Sequence, residues 1–524
     1  MRTMKVTVIV FLFGIMLGMP AFAKQKKAAS KSKDKVEEEL TRLTQLYSKG
    51  AIKGAYLWDQ LEENFRKKNL TNTQIMEVKK LQALALYKAG YPITGSMYAS
   101  DVIENAGKPY TQPYESLWKL LWMTSRERPI QYLLEELALK KSTTQMPSSF
   151  GDDWEYVIAN AYILENSIDK AVKHYGNVKI SNRYYMPAQY QLAMIYGEQK
   201  NMKDAEVALK AILHSTTRDL SPLDSDEKEK MWNYANMALA RHYYQEREFL
   251  KSVRHFRNVT RNSSLFYESL FEQSWALFMS GNPMHSLGSL YGVHSPYFTN
   301  RYNPESKILE SIVYYWMCRY DNSRNSLADF AEKYGQSVEG INNYLEREKL
   351  TATSAYLLFE DLVSGVSAES LGIPRTVLET AAEKDSMVLL RDQLASVMAE
   401  RERLDKVGVF GKKAGLDGLD ERLEKTEQKL KTALGQQFIT ELRSVKTHFE
   451  DLYSQAQFLY IELLMSEKEQ LLGRELHVSS KMQKATSENI KGWSRDTQSW
   501  TDDKYEFWWD EIGFQVVSVE PMCK

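Results

Sequence analysis

Along the first two thirds of the chain, small residues recur in pairs twelve positions apart, with apolar or aromatic residues at fixed offsets from each member. One unit carries Ala159, Tyr162, Ala171 and Tyr175. The next carries Ala193, Tyr196, Ala205 and Leu209, and the step from Ala171 to Ala205 is 34 residues. A third has Ala240, Tyr243, Ser252 and Phe256, displaced by thirteen extra residues that fit the polar, proline-bearing stretch Ser215 to Glu227, read as a loop. Ser274, Leu277, Gly281, Ser286 and Leu290 form a fourth, again 34 residues on, and Ser311, Tyr314, Ser323 and Leu327 a fifth. Upstream, Ala83, Leu86, Gly90 and Gly95 fit the same frame, and Leu43, Leu46, Gly50 and Ala55 fit it loosely.

The spacing has a physical cause. Two antiparallel helices approach closely only where small side chains meet at the crossing, while a larger residue one turn away fills the neighbouring groove. A glycine or polar residue five places before the second small residue, as at Gly90 and Gly281, suits the tight turn between the helices. One such pair cannot bury its apolar face alone, so the units must stack.

From about residue 370 a heptad-like spacing replaces the pairs: Met387, Leu390, Leu394, Val397 and Leu404, interrupted at Arg401. A glycine-rich break (Gly408, Gly411, Gly415, Gly418) follows, then Leu419, Leu423 and Leu430. Beyond Gly435 the phase slips, and Val445, Phe449, Leu452, Ala456, Leu459 and Leu463 continue the seam. Residues 370–485 therefore predict a long helical hairpin or coiled coil. The seam can bind a second copy or fold back on its own first arm, and the glycine break favours the hairpin. Residues 486–524 form a short aromatic tail with Trp493, Trp500, Tyr505, Phe507, Trp508 and Trp509, and the alternating run Phe514 to Val519 predicts a short strand. The tail either folds back as a cap, the favoured reading, or docks on another protein with Trp500, Trp508 and Trp509 as anchors. The expected fold class is all-α.

On the small-residue period, residues 36–350 resemble the tetratricopeptide repeat family. Serine replaces alanine in the later units, the closing proline is mostly missing and the spacing is irregular, so the Sel1 type of helical repeat stays open. The resemblance implies a right-handed superhelix whose inner groove holds a peptide or partner helix, and it implies no chemistry. A looser likeness, through FEQSWALFMSGNPMHSLGSLYGVHSPYF and MCRYDNSRNSLADFAEKY, is to periplasmic repeat proteins of gliding and predatory delta-type bacteria. It implies a part in an envelope-spanning assembly.

Charge and termini narrow the setting. Lys plus Arg (68) balances Asp plus Glu (69), so no whole-chain field favours nucleic acid. Arg2 and Lys5 precede an apolar run from Val6 to Met19, and Ala21-x-Ala23 follows: a signal peptide over residues 1–23, cleaved after Ala23. The run is too short to span a bilayer, no later stretch reads as a membrane span, and the Ala-x-Ala ending suits a bacterial periplasm. Residues 24–35 are basic and small, a solvated leader. The sequons at Asn69, Asn258 and Asn262 matter only in a eukaryotic secretory pathway. Cys318 and Cys523 are the only cysteines; one bridge can form, but the favoured reading is a packed Cys318 in a helical turn and a tail thiol at Cys523.

Chemistry is sparse. The eight histidines show no HExxH and no pair at helical ligand spacing, and no GxSxG, P-loop or GxGxxG occurs, so no metal, cofactor or catalytic residue is expected. Adjacent carboxylates such as Glu62 and Glu63, Asp152 and Asp153, or Asp502 and Asp503 point to different sides of a helix and read as solvated faces. Trp508, Trp509, Asp510 and Glu511 could hold a sugar ring, which makes a cell-wall glycan module, positioned by the array, the alternative function. The leading expectation is a non-enzymatic periplasmic scaffold that binds a protein or peptide. Its candidate groove residues, on the first helix of each unit and off the crossing, are Asn160, Gln191, Asn236, Arg241 and Gln273.

Overall fold

The computed structural model describes residues 35–65, 70–105, 117–118, 120–121, 152–346, 350–365, 372–407, 417–472, 499–500, 509 and 512–523. Over these the chain is mostly helical, with one short two-stranded sheet. The predicted signal segment, Gly408, Gly411 and Gly415 of the glycine break, and Trp493, Tyr505, Phe507 and Trp508 of the tail lie outside the described residues. Two compact units divide the chain: residues 1–141 with 397–423, and residues 142–396 with 424–524.

The first unit holds α1 (35–48), α2 (Gly54–Phe65), α3 (Asn72–Lys88) and α4 (Pro92–Asn105). Thr71 and Gln74 close a reciprocal capping box at the start of α3. Leu43, Leu57, Trp58, Phe65 and Leu81 bury together. A Cβ on Gly54 would fall on the Ala85 carbonyl oxygen, so α2 and α3 meet backbone to backbone there. The N-terminal amides of α4 find their acceptor far along the chain: the buried Glu400 carboxylate accepts from Ile93 N (2.9 Å), Thr94 N (2.6 Å) and Thr94 Oγ1 (2.5 Å). Burial outweighs these donors and pushes the Glu400 carboxyl above its ordinary range.

In the second unit, ten helices pack as consecutive pairs: α5 (Asp152–Leu164) on α6 (Ile168–Gly176), α7 (Tyr185–Glu198) on α8 (Met202–Thr217), α9 (Ser225–Gln245) on α10 (Phe249–Arg257), α11 (Phe266–Met279) on α12 (Pro283–Val293), and α13 (Glu305–Trp316) on α14 (Tyr320–Leu345). The predicted crossing residues Ala159, Ala171, Ala193, Ala205, Ala240, Ser252, Ser274, Ser286, Ser311 and Ser323 are all buried. Where serine replaces alanine in the last two pairs, the hydroxyl bonds across the crossing. Ser286 Oγ donates to Ser274 O at 2.8 Å, and Ser311 and Ser323 exchange bonds at 2.8 to 3.0 Å.

The inter-helix turns repeat in the same way. The residue five places before the second small residue has a positive φ each time: Asn166, Lys200, Arg247, Gly281 and Cys318. The next residue donates back to the large residue of the motif: Ser167 N to Tyr162 O, Asn201 N to Tyr196 O, Glu248 N to Tyr243 O, Asn282 N to Leu277 O and Arg319 N to Tyr314 O, at 2.8 to 3.0 Å. This left-handed helix termination satisfies carbonyls that would otherwise be orphaned. In the first unit, Gly50 and Gly90 have positive φ and the same bonds follow, Ala51 N to Leu46 O and Tyr91 N to Leu86 O.

After these pairs come α15 (Ala352–Val363), α16 (Arg375–Ala382), α17 (Asp385–Val407) and the 55-residue α18 (Asp417–Leu471). Gly435, where the heptad phase slips, lets α18 touch the Ala352 carbonyl at the start of α15. The seam residues Phe449, Leu452, Ala456 and Leu459 pack against Ile308, Leu327, Phe330 and Tyr334, and Leu463 against Cys318 and Tyr320. This stretch of the seam thus covers α13 and α14.

The C-terminal segment also lies against the pairs. Ile512 is buried among Leu270, Leu287 and Leu309, and Trp509 sits edge-on to Phe266 (5.7 Å) and Tyr297 (5.2 Å). A Cβ on Gly288 of α12 would fall on the Gln515 carbonyl oxygen, so glycine makes the slot in which the segment rests. The strand predicted over Phe514 to Val519 is confined to β2 (Val516–Val517), parallel to β1 (Ser499–Trp500). Met522 N donates to Met317 O at 2.9 Å and Arg319 Nε to Glu520 O at 2.8 Å. Cys318 and Cys523 form a disulfide across 205 residues, which corrects the expectation of two separate thiols.

At the recurring turns, non-glycine residues carry the cost of a left-handed backbone, about 1 kcal/mol each. Arg247 is exposed, and Arg247→Gly should raise the thermal midpoint by about that much stability. Gly281→Ala should lower it by a similar amount. Differential scanning calorimetry of the two variants measures both, and equal midpoints would contradict the turn's role.

Candidate functional site

Two cavities meet at one stretch of α9. The first, about 460 Å³, is walled by Tyr244, Phe256 and Trp275, with Arg241, Glu272 and Glu305 among its polar lining. The second, about 260 Å³, lies between α7, α8 and α9, bounded by Tyr190, Met194 and Leu209. Arg241 and Gln245 border both. They are four residues apart on α9 and so share a helix face.

Arg241 is fixed by carboxylates of the next pair. Its Nε lies 2.8 Å from Glu272 Oε2, and its Nη2 lies 2.6 Å from Glu272 Oε1 and 2.7 Å from Glu268 Oε1. This fork geometry removes much of the side chain's freedom. The bonds it donates to Glu272 raise the Arg241 guanidinium above its ordinary pKa. Burial nevertheless pushes the Glu272 carboxyl above its ordinary range, because lost hydration outweighs the single guanidinium. Glu305 accepts from Trp275 Nε1 at 3.0 Å, which orients the indole along the cavity wall. Arg241 thus pairs with Glu268 and Glu272, while Glu305, 3.8 Å from His448 Nε2, borders the same cavity.

Behind the second cavity lies a polar cluster. Glu206 accepts from Tyr243 Oη at 2.6 Å and Lys210 Nζ at 2.5 Å, and these bonds hold its carboxyl down at about 2. His255 stacks on Tyr243 at 5.3 Å and faces Asn236 Oδ1 at 2.9 Å, and burial, with Lys210 nearby, lowers its pKa to about 4. His294, on the connection from α12 to α13, is likewise lowered to about 4 by burial. Among the described residues no group of three or more His, Cys, Asp or Glu side chains is placed to hold a metal ion.

Of the five residues expected in the groove, Arg241 alone borders these cavities. Gln191 is exposed on α7. Asn160 is half-buried and accepts from Tyr175 Oη at 2.5 Å. Asn236 is fully buried, donating to Trp232 O, and Gln273 is buried, donating to Gly513 O of the C-terminal segment at 3.2 Å. Both amides are consumed inside the fold and offer nothing to a partner. The structure adds Tyr244, Gln245, Glu272 and Trp275. A signal for one of these exists in the sequence: Trp275, like Arg241 34 residues earlier, follows a crossing residue by one position, and Met194 occupies the same register. Of the tail anchors, Trp509 is 36% exposed and packed on the pairs; Trp500 contributes backbone to β1, its side chain lying outside the described residues with Trp508.

The lowered histidines fix the acid response. Between their ordinary 6.5 and about 4 the unfolded chain takes up protons that the folded chain refuses, so stability must fall as pH drops through that window. Melting at pH 7 and pH 4.5 should differ less for His255→Asn than for the parent, by order 1 kcal/mol after solvent screening. An unchanged difference would show that His255 is not held neutral.

No protein-family model matches the chain, and no curated protein matches it significantly, so the reading of the groove rests on its geometry.

Proposed function

We propose that this protein is a non-enzymatic scaffold or adaptor of the bacterial periplasm, exported by a signal peptide cleaved after Ala23. Its helix pairs build a tetratricopeptide-like right-handed superhelix whose inner groove takes a peptide or an extended segment of a partner protein. The observation that carries this reading is the pair of cavities meeting at Arg241 and Gln245 on the first helix of its pair. The 34-residue steps and the buried small-residue crossings support it. A seat walled by Trp275, Tyr244 and Phe256 and rich in carboxylates favours a partner segment with a lysine or arginine: the indole and phenol faces attract a cation, and Glu272 regains the stabilisation it lost on burial.

A photo-crosslinking residue placed at Gln245, with exposed Val207 of α8 as the control position, tests the reading in cells. The expected outcome is a discrete adduct from Gln245 and none from Val207, with its yield cut by Trp275→Ala, a truncation that should cost about 2 kcal/mol of binding. Adducts that ignore Trp275→Ala, or that form equally from Val207, would move the partner site away from this groove.

A further inference from the structure

The last five turns of α18 have two apolar faces. One is the seam that covers α13 and α14. The other is exposed: Phe458 is 71% accessible, Met465 64%, Ile461 51%, Tyr453 46%, Leu464 45% and Tyr460 44%. At 100° per residue these six side chains span one broad arc turned away from the seam. Large side chains at this density on one helix face mark an interaction surface.

The charges on the same face say what covers it. Glu450, which lies 3.7 Å from Lys446 of its own helix and stays half exposed, and the exposed Lys468 are eighteen residues apart, five full turns, so they point the same way along the middle line of the arc. They are placed symmetrically about Leu459. When a second α18 is laid antiparallel with its centre at the same residue, Glu450 of each copy faces Lys468 of the other across the middle line, while Tyr453, Phe458, Tyr460 and Met465 lie on the two flanks of the contact. Such self-complementarity is what a two-fold interface requires. Exposed carboxylates of Asp451 and Glu462 border the arc, which disfavours an anionic membrane surface as the cover. The six side chains amount to roughly 600 Å² per copy, the lower end of what a specific pair of surfaces buries.

We infer that the outer face of α18 between Glu450 and Lys468 is a homodimer interface in which two copies of the chain pair antiparallel about Leu459. The inference does not rest on the groove. Dimerisation would give the assembly two grooves, which strengthens its hold on a partner presenting two segments.

Sedimentation velocity of the purified protein over a concentration series reads the outcome, with circular dichroism confirming that each variant is folded. The parent should dimerise. Glu450→Lys, which sets two cations against each other, should weaken the dimer about tenfold or more, and Glu450→Lys with Lys468→Glu should restore it. Phe458→Asp should leave a folded monomer, since its side chain is 71% exposed and outside the packed seam. A monomeric parent at every concentration, or a dimer that the charge swap fails to restore, would overturn the proposal. Failure here leaves crosslinking at Gln245 unaffected.

Discussion

The close crossing of paired helices is the constraint on which the second unit depends. Alanine or serine at both crossing points lets the helices approach, and the left-handed residue five positions earlier reverses the chain in the space available. Neither feature works alone. A larger residue at Ser311 or Ser323 would separate the helices and break the reciprocal hydroxyl bonds, leaving buried acceptors unpaired. A right-handed residue at the turn would point the second helix away from the first. The carbonyl that receives the turn's bond belongs to the large residue of each unit, so Tyr162, Tyr196, Tyr243, Leu277 and Tyr314 sit at the helix end as well as in the packed layer.

That coupling explains why the pairs were legible in the sequence: each is set by residue size at fixed spacing, and size is visible in a one-dimensional string. The tail and the disulfide are not. Cys318 occupies a turn position defined by the local period, but its partner lies 205 residues away, and no period connects them. Gly288 and Gly292 were the available signal for the tail's resting place, since glycine inside a helix marks close backbone approach. What approaches them cannot be read from the helix itself. The groove was partly legible for a similar reason. Asn236 and Gln273 are polar residues on a first helix, yet one bonds within its own pair and the other to the tail. Polarity identifies residues that need partners; register, as for Arg241 and Trp275, identifies which way they face.

The long helix shows the same limit from the other side. Its heptads predict an apolar seam and the structure contains one, but a seam states only that something is covered. Between Phe449 and Leu463 the covered surface is α13 and α14, whose Ile308, Leu327 and Phe330 are buried beneath it. Likewise Glu400 breaks the apolar spacing near Arg401 because its carboxylate is needed at the amides of α4, where an apolar side chain would leave those donors buried and unpaired.

The electrostatics of the groove follow from packing more than from net charge. The chain is almost neutral, so long-range attraction cannot select a partner. On the proposed reading, selection would come from the cost of desolvation at short range. Glu272 has already lost part of its hydration to the neighbouring helices, and one shared guanidinium does not replace it. A partner cation that reached Glu272 would then recover part of the solvation its carboxylate lost on burial, whereas a partner carboxylate would meet like charges and an aromatic wall. So read, the arrangement would discriminate by repulsion as well as attraction, and the Arg241 fork holds Glu272 in its place on the cavity wall.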